Sequence, residues 1–315
     1  EAGKPLFLPT GLGSSARARG WTRRPPRSLP TLILILAEEA AWRIVATPMS
    51  WCGFSAVRPG GGERQTLIPQ GGRWCSRMSC FAQGAAFIPT FLVSWSSAAF
   101  ILSYAIAVLS GHVEPLFPYI SDTGAKPPES GIFGFMINVS AFLGAVTMYI
   151  KYLIVKKQND VTHFVSPCFN LLTLYVGIMG SIGMGIVASF QELAVPAVHD
   201  GGALLAFVSG AVYIFLQTII SYKSRPQWST PCVCHTRLFL SVMTWVAVIP
   251  MIACASLISI TKIDWNPGEK DYVYHFISAI CEWTVAFGFV LFFLTYIRDF
   301  QGVTIQISTE IQGNL

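Results

Sequence analysis

The amino-acid sequence predicts an all-α membrane protein, a six-transmembrane-helix bundle with both termini cytosolic and a disordered N-terminal extension. Of the 315 residues, 53% are hydrophobic and 12% are charged, and the mean hydropathy is +0.54, whereas soluble domains carry about 25% charged residues. Apolar segments of roughly 20 residues recur along the chain, and each can cross a hydrocarbon core about 30 Å thick. The distribution of Lys and Arg predicts the orientation of these segments.

Residues 1–77 differ in composition from the rest of the chain. They hold 11 of the 21 Lys and Arg residues and four of the 16 acidic residues, a local charge of +7, so the remainder sums to −2. Clusters of Gly, Pro and Arg, such as 17–27, leave little material for a packed core. The apolar run Thr31–Ala37 is too short to span. We expect this extension to be disordered and the natural protein to begin at Met78. The alternative is a basic arm that binds anionic lipid or nucleic acid.

The membrane domain, residues 78–315, is predicted to contain six spans. Glycines cluster in the third and fourth spans, where small residues let helix backbones approach closely. Tight packing of the bundle is the favoured explanation, ahead of a ligand pore. The spans are expected at about 87–109, 131–150, 167–190, 201–222, 238–260 and 272–297.

The basic residues between the spans are unevenly distributed. Three lie on the side of the odd-numbered loops: Lys126, Lys262 and Lys270. Eight lie on the other side: Arg77, Lys151, Lys156, Lys157, Lys223, Arg225, Arg237 and Arg298. Cytoplasmic loops carry an excess of Lys and Arg. The even-numbered loops and both termini are therefore predicted to be cytosolic, and the odd-numbered loops lumenal or extracellular.

The odd-numbered loops hold most of the unusual polar residues. The first, residues 111–130, contains four prolines and a turn at Asp122–Gly124, so we expect it to keep a fixed shape. Eight acidic residues of these loops could bind a cation or form a solvated acidic face: Glu114, Asp122, Glu129, Glu192, Asp200, Asp264, Glu269 and Asp271. No spacing typical of a metal site joins them. The solvated face is favoured, and neither a metal nor another cofactor is expected.

The sixth span carries a stripe of polar residues at membrane depth. Asp271, His275, Ser278 and Glu282 are spaced i, i+4, i+7 and i+11, which places them on one helical face. Such residues are costly in lipid and are functional candidates, here for a proton-linked or lipid-headgroup site. The alternative is structural, with Glu282 clamping a neighbouring helix and His275 in the wet interface. Because no Lys or Arg lies inside any predicted span, Glu282 is expected to be protonated, to face the interior, and to bond a polar side chain or a backbone carbonyl.

Motifs of soluble enzymes are absent from the sequence. It contains no G-x-S-x-G, Walker loop, H-E-x-x-H or dinucleotide fingerprint. The segment Cys232–His235 (CVCH) lacks the second ligand pair of a structural zinc site. We expect it to be an ordinary loop or to carry a lipid-modified thiol. No catalytic residue is predicted.

Several long stretches resemble the family of damage-regulated autophagy modulators: Phe91–His112, Pro118–Asn138, Phe190–Phe207, Asp264–His275 and Cys281–Gln301. The resemblance covers residues 78–315 and implies six spans in the lysosomal membrane and promotion of autophagy and of damage-induced apoptosis. It implies no established active site. The family is similar to proteins of lipid-anchor remodelling, and the loop motif shared with them maps onto Pro118, Tyr119, Ser121, Asp122 and Gly124.

Three hypotheses of function follow. The first is a non-enzymatic lysosomal regulator of autophagy whose partners are membrane lipids and lysosomal membrane proteins, with no nucleic acid. The second is a lipid-remodelling enzyme or lipid-binding protein built on the first loop and the stripe of the sixth span. The third is a proton-linked transporter that uses Glu282 and His275.

Overall fold

The computed structural model describes residues 84–258, 262–263 and 265–304. The predictions for residues 1–77 and for Asp264 lie outside this part of the chain. Six of its helices are long and apolar enough to span a membrane, which confirms the all-α, six-helix prediction. The helices are α1 (Phe87–Leu109), α2 (Glu129–Thr162), α3 (Pro167–Ser189), α4 (Pro196–Lys223), α5 (Pro231–Ala255), α6 (Tyr272–Leu294) and the short α7 (Tyr296–Phe300).

The largest differences from the predicted boundaries are in α2 and α5. At 34 residues and 1.5 Å per residue, α2 is about 51 Å long and exceeds the hydrocarbon core, because the polar stretch after Ile150 remains helical. The start of α5 lies seven residues before the predicted one, since Thr230 caps it and Pro231 occupies its first position. The expectation of a loop at Cys232–His235 is therefore wrong.

These extensions place basic residues within helices, and two of them are buried. Lys151 lies in the second half of α2 and Arg237 in the second turn of α5, and they are 5% and 0% exposed. The inference that no Lys or Arg lies inside a span is therefore wrong. It failed because each residue stands just one position beyond a predicted span end.

Consecutive helices pack against each other, and α1 also packs against α6, which closes the bundle. The glycines of α3 explain part of this packing. A Cβ atom on Gly183 would lie 2.5 Å from the backbone nitrogen of Ala206 in α4, so only glycine permits this approach.

The two ends of the bundle are distinguished by the connections they carry. The Ala85 amide donates a hydrogen bond to the Val303 carbonyl at 2.8 Å, so both ends of the described chain meet at one end of the bundle, here called the termini end. The first loop lies between α1 and α2 at the other end, here called the first-loop end. The assignment of the termini end to the cytosol stays a prediction.

Candidate functional site

The first loop folds back on itself through its own side chains. The Tyr119 amide donates to Asp122 Oδ2 at 3.2 Å, and the Thr123 hydroxyl donates to the Ile120 carbonyl at 2.7 Å. Asp122 is 3% exposed and Thr123 is fully buried. A Cβ atom on Gly124 would lie 2.4 Å from the Phe133 ring, so glycine lets the turn lie flat on α2.

Two hydrogen bonds join this loop to α6. The Ile120 amide donates to Glu282 Oε2 at 2.9 Å, and the Trp283 indole donates to the Pro118 carbonyl at 2.9 Å. The loop motif and the polar stripe, inferred separately from the sequence, therefore meet in one place.

Glu282 is 8% exposed and faces the bundle interior. Its observed partner is a backbone N–H, not the polar side chain or backbone carbonyl expected from the sequence. We expected the partner of Glu282 on a neighbouring helix, but the Ile120 amide of the first loop reaches into the bundle instead.

The other stripe residues have separate partners. The His275 ring stacks on Trp265 at 4.5 Å and meets the Tyr119 ring edge-on at 4.6 Å. At 4% exposed, it is enclosed by rings instead of lying in a wet interface. The Ser278 hydroxyl donates to the Met251 carbonyl at 2.9 Å. Asp271 precedes α6, and its carbonyl accepts the His275 amide at 3.1 Å.

Two more residues complete the site: Glu192 in the connection between α3 and α4, and His199 in the first turn of α4. Sequence reasoning counted Glu192 among the loop acids but did not select it as a site residue. The Glu192 side chain contacts those of Ser121 and Asp122. His199 is 4% exposed, and its Nδ1 lies 2.7 Å from the Phe190 carbonyl oxygen. The sequence signal that could have identified Glu192 is that its loop and the first loop both carry acidic residues and are predicted to lie on the same side of the membrane.

Burial changes the protonation of the loop carboxyls. It raises the pKa of Asp122 well above its usual range, and the negative charges of Glu192 and Glu282 raise it further. Burial also raises the pKa of Glu192, although His199 and Ser121 act in the opposite direction. Asp122 and Glu192 are therefore poised to share a proton.

A cavity of about 490 Å³ continues from this site into the bundle. Residues of all six long helices line it, and most of them are apolar. Tyr119, Glu192 and Glu282 lie at its first-loop end, and Tyr213 and Phe293 lie deep between the helices. Its volume falls within the range of about 300–1,000 Å³ usual for small-molecule sites.

A second buried polar cluster, missed by the sequence analysis, lies near the termini end. Asp299 Oδ2 lies 2.6 Å from both Lys151 Nζ and Arg237 Nη2. Arg237 also donates to the Thr295 hydroxyl at 2.9 Å and to the Ser221 hydroxyl at 2.7 Å. These contacts join α2, α4, α5 and the end of α6 with α7.

The CVCH segment has ordinary packing contacts. The Cys234 thiol is fully buried and donates to the Ser221 carbonyl at 3.3 Å, and His235 Nδ1 lies 3.0 Å from the Tyr222 hydroxyl. Within the described residues, no group of three or more His, Cys, Asp or Glu side chains is arranged to hold a metal ion.

The fold and this site define a class, the multi-pass membrane protein whose helices enclose an apolar cavity headed by buried carboxyls. The Frag1/DRAM/Sfk1/Cwh43P N-terminal domain matches residues 84–303, and the chain belongs to this family, among its DRAM autophagy modulators. It is 68% identical to human DNA damage-regulated autophagy modulator protein 1 over 238 residues, which are 76% of this chain and 100% of that protein.

Two other relatives are also similar to this chain. The mouse protein of the same name is 69% identical over 237 residues, 75% of this chain and 100% of its own length. Rat DNA damage-regulated autophagy modulator protein 2 is 40% identical over 241 residues, 74% of this chain and 90% of its own length. No solved structure matches the chain.

Proposed function

We propose that this DRAM-family protein resides in the lysosomal membrane and promotes autophagy and damage-induced apoptosis without itself catalysing a reaction. The observation that carries the proposal is the 68% identity over the full length of a human autophagy modulator. Membrane lipids and other lysosomal membrane proteins are its proposed partners, and nucleic acid is not.

Deletion and re-expression in cells test this proposal. Loss of the protein should lower autophagic flux and cell death after DNA damage, and re-expression should restore both while the protein co-fractionates with lysosomal markers. Unchanged flux and death in the deleted cells would contradict the regulatory role. Restoration by protein held in another membrane would contradict the location.

A second candidate function is lipid binding, which the cavity favours. Its apolar walls lie within the membrane-spanning helices, and its polar end adjoins the loop motif shared with lipid-anchor remodelling proteins. Lipid extraction from the purified protein, followed by mass spectrometry, tests this function directly. A protein that retains no lipid and binds none on addition would exclude it.

A further inference from the structure

The deep part of the cavity has the shape and chemistry of a hydrocarbon site. Along α6 its lining runs from Glu282 to Phe293, eleven residues or about 16 Å at 1.5 Å per residue. Ile137, Met184 and Phe289 line its walls. An occupant of this part is an apolar chain, because no charged side chain of the described residues lines the cavity beyond Glu282 towards Phe293.

The first-loop end of the cavity has the opposite character. Its lining includes three acidic residues, Glu192, Asp200 and Glu282. Asp122 does not line the cavity, but its side chain contacts that of Glu192. Among the described lining residues, Lys262 is the one Lys or Arg. Its ammonium is already engaged, since it bonds Glu269 and lies 4.5 Å from the centre of the Trp265 ring.

One polar atom at this end lacks a hydrogen-bond partner within the described part of the chain. Glu192 Oε2 is buried and makes no hydrogen bond, and Glu192 lines the cavity. A buried polar atom without a partner is costly. Glu192 Oε2 can accept a hydrogen bond, so the missing group is a donor. The negative charge that Asp122 and Glu192 keep when they share one proton favours a donor with positive charge.

We propose that the cavity binds a single-chain amphiphile with a protonated amine headgroup. The ammonium lies against Glu192, Asp122 and Glu282, and the chain extends between the helices towards Phe293. Phosphate and carboxylate headgroups are disfavoured, because the negative charge that remains when Asp122 and Glu192 share one proton would repel them, and because Lys262 is already paired. This inference rests on the second candidate function, lipid binding, and specifies its ligand class.

The route of entry is visible at the same end. Exposed residues that line the cavity include Asp200 and Leu204 near the start of α4 and Ala255 at the end of α5. The cavity therefore opens between these two helices, where an amphiphile can enter chain-first from the bilayer.

Native mass spectrometry of the purified full chain in detergent tests the ligand class. Stearylamine, stearyl alcohol and stearate have the same chain and differ in headgroup. We expect stearylamine to bind at least about tenfold more tightly than the other two, as for a buried charged contact. Equal binding of the three probes, tighter binding of stearate, or no binding of stearylamine would overturn the proposal.

Two pairs of variants locate the headgroup and the chain. Glu192→Gln should abolish the preference for the amine over the alcohol, whereas Glu114→Gln, an exposed acid outside the cavity, should keep it. Ala203→Trp, on the cavity wall, should weaken the binding of both the amine and the alcohol. Leu205→Trp on the same helix should weaken the binding of neither. A preference that survives in Glu192→Gln contradicts the proposed headgroup site. Unfolding temperatures of all four variants identify any that fail to fold, and Asp200→Asn at the exposed rim then replaces Glu192→Gln.

The same experiments separate this inference from the functions on which it rests. The purified protein could retain a two-chain lipid that the Ala203→Trp variant loses, and yet not bind stearylamine. That result would contradict the proposed amine headgroup but would support lipid binding as a function. A protein that binds no lipid of either kind, yet restores autophagic flux in deleted cells, would contradict both lipid hypotheses and keep the regulatory role.

Discussion

The two buried polar clusters of the bundle differ in whether nearby Lys or Arg residues compensate the charge of their acidic side chains. Near the termini end, one carboxylate, Asp299, lies 2.6 Å from each of two cations, Lys151 and Arg237. At the first-loop end, Asp122, Glu192 and Glu282 lie close together with no free Lys or Arg among the described residues that line the cavity. A buried charge is tolerated when it is paired. The first cluster is complete, whereas the second retains an unsatisfied atom beside a cavity.

This difference separates a structural role from a binding role. The Asp299 cluster joins several helices and is enclosed, with Arg237 fully buried, so it holds the termini end of the bundle together. The acids at the first-loop end adjoin an open cavity. Electrostatic compensation, more than the number of charged residues, therefore distinguishes the structural cluster from the one for which we propose a ligand.

The largest effect on stability is expected from Asp299→Asn. The change leaves Lys151 and Arg237 as two buried like charges without an anion, and breaking a buried ion pair costs about 3–5 kcal/mol. Chemical denaturation in detergent measures this loss. Asp160→Asn, an exposed position on α2, is the matched control and should change the free energy of unfolding little. Equal stability of the two variants would show that Asp299 is not a structural clamp.

A smaller loss is expected from Glu282→Leu. The change leaves the Ile120 amide without its acceptor, and an unsatisfied buried donor costs about 1–3 kcal/mol. Glu282→Gln should retain most of the stability, because the amide oxygen still accepts this hydrogen bond. The same denaturation experiment compares the two variants. A Leu variant as stable as the Gln variant would contradict the role of the loop contact.

The helices were predictable from sequence because their signal is local. Roughly 20 apolar residues in succession identify a span wherever it packs, and the stripe from Asp271 to Glu282 follows from helical spacing alone. The start of α5 was misplaced because hydropathy falls at Arg237, although the Thr230 and Pro231 capping signal was present in the sequence.

The two clusters were harder to predict because they join residues distant in sequence. Lys151 and Asp299 are separated by 148 positions, and Ile120 and Glu282 by 162. Nothing in the local pattern pairs Glu192 with Asp122. Assigning Lys151 and Arg237 to loops also removed the two cations from consideration as buried groups.

A pH dependence of stability is expected from the first-loop end. The raised pKa values of Asp122 and Glu192 mean that the folded protein keeps protons which the unfolded chain releases near pH 4. Stability should therefore fall as pH rises from about 4 through the raised pKa values, by up to about 1.4 kcal/mol per pH unit for each group.

Unfolding measured across this pH range in Asp122→Asn tests the assignment. The variant should show a smaller loss of stability with rising pH than the parent, because the amide does not titrate. Asp160→Asn should retain the parent slope. Two results would contradict the assignment of this pH dependence to Asp122 and Glu192. One is a parent protein whose stability rises with pH, and the other is an Asp122→Asn variant with the same dependence of stability on pH as the parent.

The orientation of the bundle in the membrane decides which compartment each of the two clusters faces. Lys156 and Lys157 are predicted to face the cytosol, and Asp122 to face the lumen. Asp122 is only 3% exposed, so the exposed Glu114 of the same loop is the better labelling position. In sealed vesicles with the cytosolic side outward, an impermeant thiol reagent should label Lys157→Cys and reach Glu114→Cys only after permeabilisation. The reverse pattern would place the compensated Asp299 cluster at the lumenal side and the carboxyl-headed cavity at the cytosolic side.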